Sequence, residues 1–358
     1  MTATVAPARK IPVGVLGATG AVGQMFIRLL ADHPWFEVTA VAASERSAGK
    51  RYRDAAHWLS GDLPARVGDL VVTLCEPSAV DTPVVFSALD SDVAGEVEGA
   101  FARAGRLVLS NARNHRMDAD VPLLIPEVNP DHLGLLAIQR ATRGWAGAIV
   151  TNSNCSTMVI ALALAPLQQA FGIEQLFVTT LQALSGAGYP GVPSLDILGN
   201  VIPFIGGGEE EKIEVEPLKI LGTFENGAVT PASMRVSAQV NRVAVEHGHT
   251  ACMSIQLATH ATPDAAMDAL RSWKGAIAGM GLPSAPANPV LVTMKRDRPQ
   301  PRRDVNAGNG MSVVVGRVRT DPILDLRLVA MGHNTIRGAA GASVLNAELM
   351  FARGLIQG

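Results

Sequence analysis

One cysteine of three stands where it can act as a nucleophile. Cys155, in the string SNCSTM, lies among small polar residues directly before a long apolar run of helical character, residues 157–171. The partial positive charge at a helix start lowers a thiol pKa, and the free amides there can receive an oxyanion. Cys75 and Cys252 lack that setting and read as small buried hydrophobes, the commonest role of an unpaired cysteine. A thiol that carries an acyl group needs a partner to move protons, and histidine is tuned for that near neutral pH. Of eight histidines, His249 in NRVAVEHGHT follows a strand-like run beside Gly248, with His247 its main competitor. Most histidines are structural, and spacing alone does not join residues 155 and 249.

A second chemistry is written near the N-terminus, where GATGAVG places Gly17, Gly20 and Gly23 three apart. Between an apolar run (11–16) and a helical pattern (24–32), such a turn brings backbone amides and a helix start against a pyrophosphate. Thr19, Ala21 and Val22 belong to the same cradle, and Ser87, in the strand-like run 84–89, joins the candidate contacts. The end of the second strand decides which dinucleotide fits, and it reads Ser44, Glu45, Arg46, Ser47. Arg46 with Ser44 and Ser47 suits a 2′-phosphate and hence NADP, whereas Glu45 alone would argue for NAD.

These groups need a scaffold, and 358 residues exceed the roughly 250–300 at which a single core stops growing, so two domains are expected. The alternation of apolar runs at 36–43, 70–74, 84–89 and 108–110 with a helical 94–104 implies a parallel sheet with helices on its faces. Near 148–154 the pattern changes. Strand-like runs at 176–183, 235–245, 250–258 and 311–318 then suit a mixed or antiparallel sheet. The expected fold is α/β: a Rossmann-like dinucleotide-binding domain over residues 1–152, joined by a closing helix at 335–358, and an α+β catalytic and dimerisation domain over 153–334. Segments 283–289 and 296–303 read as solvated loops.

Composition narrows the function by exclusion. A net charge of −2 gives no field for nucleic acid or an anionic membrane. Three cysteines without paired spacing suggest neither a disulfide scaffold nor a metal site. No signal-like or membrane-length apolar run is present, so a cytoplasmic protein is expected.

Taken in order, GATGAVG, SNCSTM, LQALSGAGYPG, GGGEEEKIEVE, NRVAVEHGHT and GHNTIRGAAGA resemble the aspartate-semialdehyde dehydrogenase family, in the form of its fungal and archaeal branch. The resemblance spans nearly the whole chain. It implies Cys155 as nucleophile, Gln182 as the group orienting the acyl adduct, and His249 as general acid and base. Arg242 would clamp the substrate carboxylate, for which a planar guanidinium fork is suited. Glu209 would meet the substrate amine. Lys212, Asn154 and Arg116, the last within SNARNHRMDADVPLLIPEVN, would hold inorganic phosphate. Without the motif, Arg116 would read as a surface ion pair with Asp118. Ser185, Gly186, Ala187 and Asn334 would contact the nicotinamide half of the cofactor.

The implied reaction reduces L-aspartyl 4-phosphate with NADPH to L-aspartate 4-semialdehyde through a thioester on Cys155, in lysine, threonine and methionine synthesis. Rivals on the same fold are reductases of N-acetylglutamyl phosphate or malonyl-CoA. A dinucleotide sensor without chemistry would lack Cys155 or His249. The family is dimeric or tetrameric, and the glycine-rich apolar second domain suits a subunit interface.

Overall fold

The computed structural model describes residues 4–59 and 61–357, so the outermost ends of the expected first domain, 1–3 and 358, lie outside the described residues. Its first sheet holds β1 (Ile11–Leu16), β2 (Phe36–Ala43), β3 (Thr73–Leu74), β4 (Val84–Ser87), β5 (Leu107–Ser110) and β6 (Ala148–Thr151). The order is β3-β2-β1-β4-β5-β6, with every pairing parallel. Winding runs outward from β1 to β3 and then restarts at β4 beside β1, which opens a crevice at the carboxyl ends of β1 and β4. Strands β4, β5 and β6 are short, apolar and buried on both faces because helices such as Ala21–Leu30 and Ser91–Arg103 pack against the strands of this sheet. Phe26 of the first of these helices packs tilted against Phe86 of β4, with ring centroids 4.9 Å apart.

The second sheet is mixed. It holds β7 (Ile173–Gln182), β10 (Arg235–Arg242), β11 (His249–Leu257), β12 (Val290–Thr293), β13 (Val313–Thr320) and β14 (Leu326–Gly332) in the order β10-β7-β11-β14-β13-β12. The strands β8 (Thr223–Glu225) and β9 (Ala228–Thr230) form a separate hairpin. Parallel pairs at the two edges flank an antiparallel centre. One face packs on the Cys155–Phe171 helix, whose side chains from Ser156 to Leu167 are all buried. The other face leaves Phe177 and Leu181 exposed.

The cores exchange short segments. Leu123 and Ile125 pack in the second core, whereas Ile277 and Leu282 pack in the first. Val344, Leu345, Leu349 and Met350 of the Gly341–Ala352 helix also join the first core. That return begins with a π-helical turn, Ile336–Ala340, where a single regular helix was expected. The central strand β14 and the edge strand β12 were not anticipated. The loop at 283–289 is less solvated than its prolines suggest: the Ser284 N–H donates to both carboxylate oxygens of buried Glu348, and Pro289 is buried. Among the described residues no helix is long and apolar enough to cross a membrane.

Candidate active site

The site is assembled by strand ends and one helix start. Cys155 is the first residue of its helix, two residues earlier than the apolar periodicity indicates, because Asn154 caps it. The Asn154 Oδ1 accepts from the N–H groups of Ser156 and Thr157, satisfying two of the helix's free donors. Gln182 closes β7 and Arg242 closes β10, and the parallel register sets them side by side. β11 runs antiparallel to β7 with Thr250 opposite Leu181, so His249 arrives at the same edge. Gln182, Arg242 and His249 are buried, while Cys155 keeps part of its surface open.

The sulfur of Cys155 lies 3.1 Å from His249 Nε2. On the other side of the ring, the Ala183 backbone N–H donates to Nδ1 at 3.0 Å. A backbone N–H can only donate, so the neutral ring carries its hydrogen on Nε2, facing the sulfur. Burial, with Arg242 and His333 nearby, pushes the His249 pKa down to about 3. Burial and the Glu209 carboxylate push the Cys155 thiol up to about 12, while Arg116, Arg242 and the Ser156 N–H pull it back. The expectation of a thiol acidified by its helix start is therefore corrected: removal from water outweighs the helix terminus here. His247 is not the partner. It hydrogen-bonds Ser185 at 2.9 Å and stacks on His333.

The Glu209–Ile220 helix supplies a second wall. Residues 209, 212, 216 and 219 fall within about 80° of one another around a helix of 3.6 residues per turn. Glu209 accepts from Asn154 Nδ2 at 2.7 Å and Gln182 Nε2 at 3.3 Å, and pairs with Lys212 at 3.2 Å. Arg116 is buried and pairs with Glu216 at 2.8 Å, not with Asp118. Glu216 and Lys219 were not anticipated, although the i, i+3, i+7, i+10 spacing of EEEKIEVEPLK displays them on the same face as Glu209 and Lys212.

Behind Cys155 stands the π-turn. A Cβ on Gly338 would sit 2.7 Å from the Cys155 Cβ and 3.0 Å from its Cα, so only glycine fits without displacing the cysteine. The buried pair of Arg337 with Glu127 fixes that turn through two bonds of 2.8 and 2.7 Å. Gly338→Ala is expected to lower kcat about 10²-fold, the cost of a misplacement near 1 Å, while thermal unfolding and NADPH affinity change far less; steady-state kinetics beside calorimetry checks it.

The glycine turn fits a dinucleotide. Gly17 has φ of +70°, and a Cβ on Gly23 would lie 2.3 Å from the Gly17 carbonyl, so the loop closes tightly only with these residues. Gly20 caps the Ala21–Leu30 helix without a side-chain bond, leaving the amides from Ala21 and Val22 onward free of side-chain partners at the crevice. Thr19 is partly buried within the turn. Ser44, Glu45 and Arg46 are exposed immediately after β2, with Ser47 buried behind them. Ser185, Gly186 and Ala187 belong to the turn Leu184–Ala187, and Asn334 ties that turn to the residue just before β11 by donating to the Ser185 hydroxyl and accepting from the Gly248 N–H. A cavity of about 350 Å³ runs from Ala21 and Met25 to Ser185 and His247. Ser87 does not join this surface: it is fully buried at the end of β4. A larger cavity of about 680 Å³ holds none of the candidate site residues. Among the described residues no group of three or more His, Cys, Asp or Glu could hold a metal ion.

Comparison with known proteins matches two family models, "Semialdehyde dehydrogenase, NAD binding domain" over residues 12–136 and "Semialdehyde dehydrogenase, dimerisation domain" over residues 164–337. The chain is 51% identical to aspartate-semialdehyde dehydrogenase of Archaeoglobus fulgidus, covering 97% of this chain and 100% of that one. It is 46% identical to the enzyme of that name from Saccharomyces cerevisiae, over 98% and 100% of the two chains. A crystal structure of aspartate semialdehyde dehydrogenase with NADP from Candida albicans superimposes with a TM-score of 0.89 at 45% identity, covering 97% of this chain and 100% of that one.

Proposed function

The chain belongs to the aspartate-semialdehyde dehydrogenase family, and from that premise we propose that Cys155 is the sulfur through which it works. The activity is the NADPH-dependent reductive dephosphorylation of L-aspartyl 4-phosphate to L-aspartate 4-semialdehyde, a step toward lysine, threonine and methionine. The observation that carries the residue assignment is the 3.1 Å contact between the Cys155 sulfur and His249 at the start of a capped helix.

The chain's own groups divide the work. Once deprotonated through the open part of its surface, the Cys155 thiolate is held by the Nε2–H of His249, the Ser156 N–H and the charges of Arg116 and Arg242. It attacks the acyl carbon, the phosphate leaves, and Arg116, Lys212 and Asn154 are the groups proposed to hold that phosphate. Arg242 clamps the α-carboxylate and Glu209 receives the amine. When bound against Gly17–Gly23, NADPH supplies the hydride. The tetrahedral oxyanion then accepts from His249 Nε2–H, with Gln182 orienting it, and expels the thiolate to release the aldehyde. His249 thereby acts as a fixed hydrogen-bond donor rather than as the base that takes the thiol proton, since its basic nitrogen is occupied by Ala183. The one proton consumed ends on the departing phosphate.

Glu209, buried among Asn154, Gln182 and Lys212, favours an acyl group that bears an amine, which the malonyl group of malonyl-CoA lacks. The test is a substrate panel. Phosphate-dependent reduction of NADP with aspartate semialdehyde is expected, with no oxidation of NADPH by malonyl-CoA; the reverse pattern overturns the reading.

Arg46, exposed after β2, is proposed to meet the cofactor's 2′-phosphate. Arg46→Ala is expected to raise the KM for NADPH roughly tenfold, the scale of one charge-assisted hydrogen bond, and to leave NADH usage unchanged. The oligomer is proposed to be a dimer or a tetramer, supported by the dimerisation-domain match and by Phe177 and Leu181 on the open sheet face. A cytoplasmic location is part of the same proposal, supported by three unpaired cysteines, which suit a reducing compartment. The division at residues 152 and 334 is likewise proposed, supported by the two sheets falling on either side of it.

A further inference from the structure

Helix Glu209–Ile220 touches Asn154 twice: Glu209 takes its side-chain amide, and Glu216 takes its backbone N–H at 2.6 Å. The other oxygen of Glu216 holds Arg116 Nη1 at 2.8 Å. One carboxylate, 1% exposed, therefore bridges the residue that precedes the nucleophile and the guanidinium assigned to phosphate. Three residues on, the Lys219 ammonium donates to the carbonyls of Arg116, Asp118 and Val121 at 2.7–2.8 Å, fastening the backbone that carries that guanidinium. Arg116 Nη2 donates to the Asn111 carbonyl at 2.8 Å, so the guanidinium is fixed at both terminal nitrogens while each keeps a second hydrogen.

We propose that Glu216 is a positioning residue that locks the aim of Arg116 and the start of the nucleophile helix into one rigid unit. Removing it unpairs a buried cation and frees a buried amide together, so both the phosphate contact and the sulfur lose their reference position. A carboxylate is required, because only a group that accepts at both oxygens meets two donors. Glutamine in its place would turn an N–H toward either Arg116 or Asn154. The Arg116 half of the proposal rests on the assignment of Arg116 to phosphate made above; the Asn154 half does not.

The test measures aspartate-semialdehyde oxidation by NADP at varied phosphate, together with the single-turnover burst of NADPH, in Glu216→Gln, Arg116→Ala and the double variant. Glu216→Gln is expected to raise the KM for phosphate about tenfold, as loss of a charged hydrogen-bond partner implies, to slow the burst, and to leave the KM for NADP unchanged. In the double variant the phosphate KM should match that of Arg116→Ala alone, while the burst stays slower. Wild-type phosphate KM and burst in Glu216→Gln, or an additive rise in phosphate KM in the double variant, overturns the proposal. If Arg116→Ala leaves the phosphate KM unchanged, the phosphate assignment fails, and an unslowed burst in Glu216→Gln then overturns the positioning role as well. Should melting show that the glutamine variant does not fold, Glu216→Asp, which keeps the charge but is one methylene too short to bridge, is held to the same readouts.

Discussion

Replacing Cys155 with alanine is expected to lower turnover on the order of 10⁴-fold or more, the scale seen when a nucleophile that works as part of a unit is lost. No other cysteine can substitute, since Cys75 lies against the Ala43 carbonyl and Cys252 is exposed on β11. The variant should fold and bind NADPH as before, because the cofactor turn at Gly17–Gly23 follows β1 of the first sheet, away from the strand ends of the second sheet that gather round Cys155. The decisive measurement is the pre-steady-state burst of NADPH with aspartate semialdehyde. A burst of wild-type amplitude in the alanine variant would remove Cys155 from the mechanism.

His249→Ala should cost about 10²–10³-fold in kcat, the range for deleting one donor to a developing oxyanion. The accompanying pH profile is the sharper test. With the His249 pKa pushed down to about 3 by burial and by Arg242 and His333, the ring is already neutral through the ordinary range. It therefore contributes no ionisation near 6.5. The thiol is pushed up to about 12, so the thiolate fraction grows as pH rises and kcat/KM should climb on a single limb toward alkaline pH. In His249→Ala the same limb should remain at lower height. A wild-type profile with a second ionisation near neutrality that vanishes in the alanine variant would show a proton-donating imidazolium and overturn the fixed-donor assignment.

Much of this was legible in the sequence, for identifiable reasons. GATGAVG and SNCSTM are contiguous, and contiguous turns carry their geometry with them: Gly17 needs its positive φ and Asn154 its capping oxygen wherever the chain goes next. The parallel first sheet was legible because its strands are uniformly apolar and separated by helical periods. What was missed depends on contacts distant in sequence. Glu216 meets Arg116 from 100 residues away, and nothing around either announces the other. The sign of the Cys155 shift is not legible in the sequence because burial is a tertiary quantity, and here it exceeds the local field of the helix start. β14 is masked in the sequence although it begins by alternating buried and half-buried residues, because its end merges into the glycine-rich string that leads to the π-turn.

The hydrogen on the His249 ring is dictated by a main-chain amide. Side-chain substitution at Ala183 therefore leaves the tautomer untouched, with proline the one exception because it carries no amide hydrogen. Ala183 is itself fully buried, so its surroundings limit the size of what can stand there, yet the orientation of charge on the imidazole is a safeguard rooted in the path of the polypeptide rather than in any letter of its code.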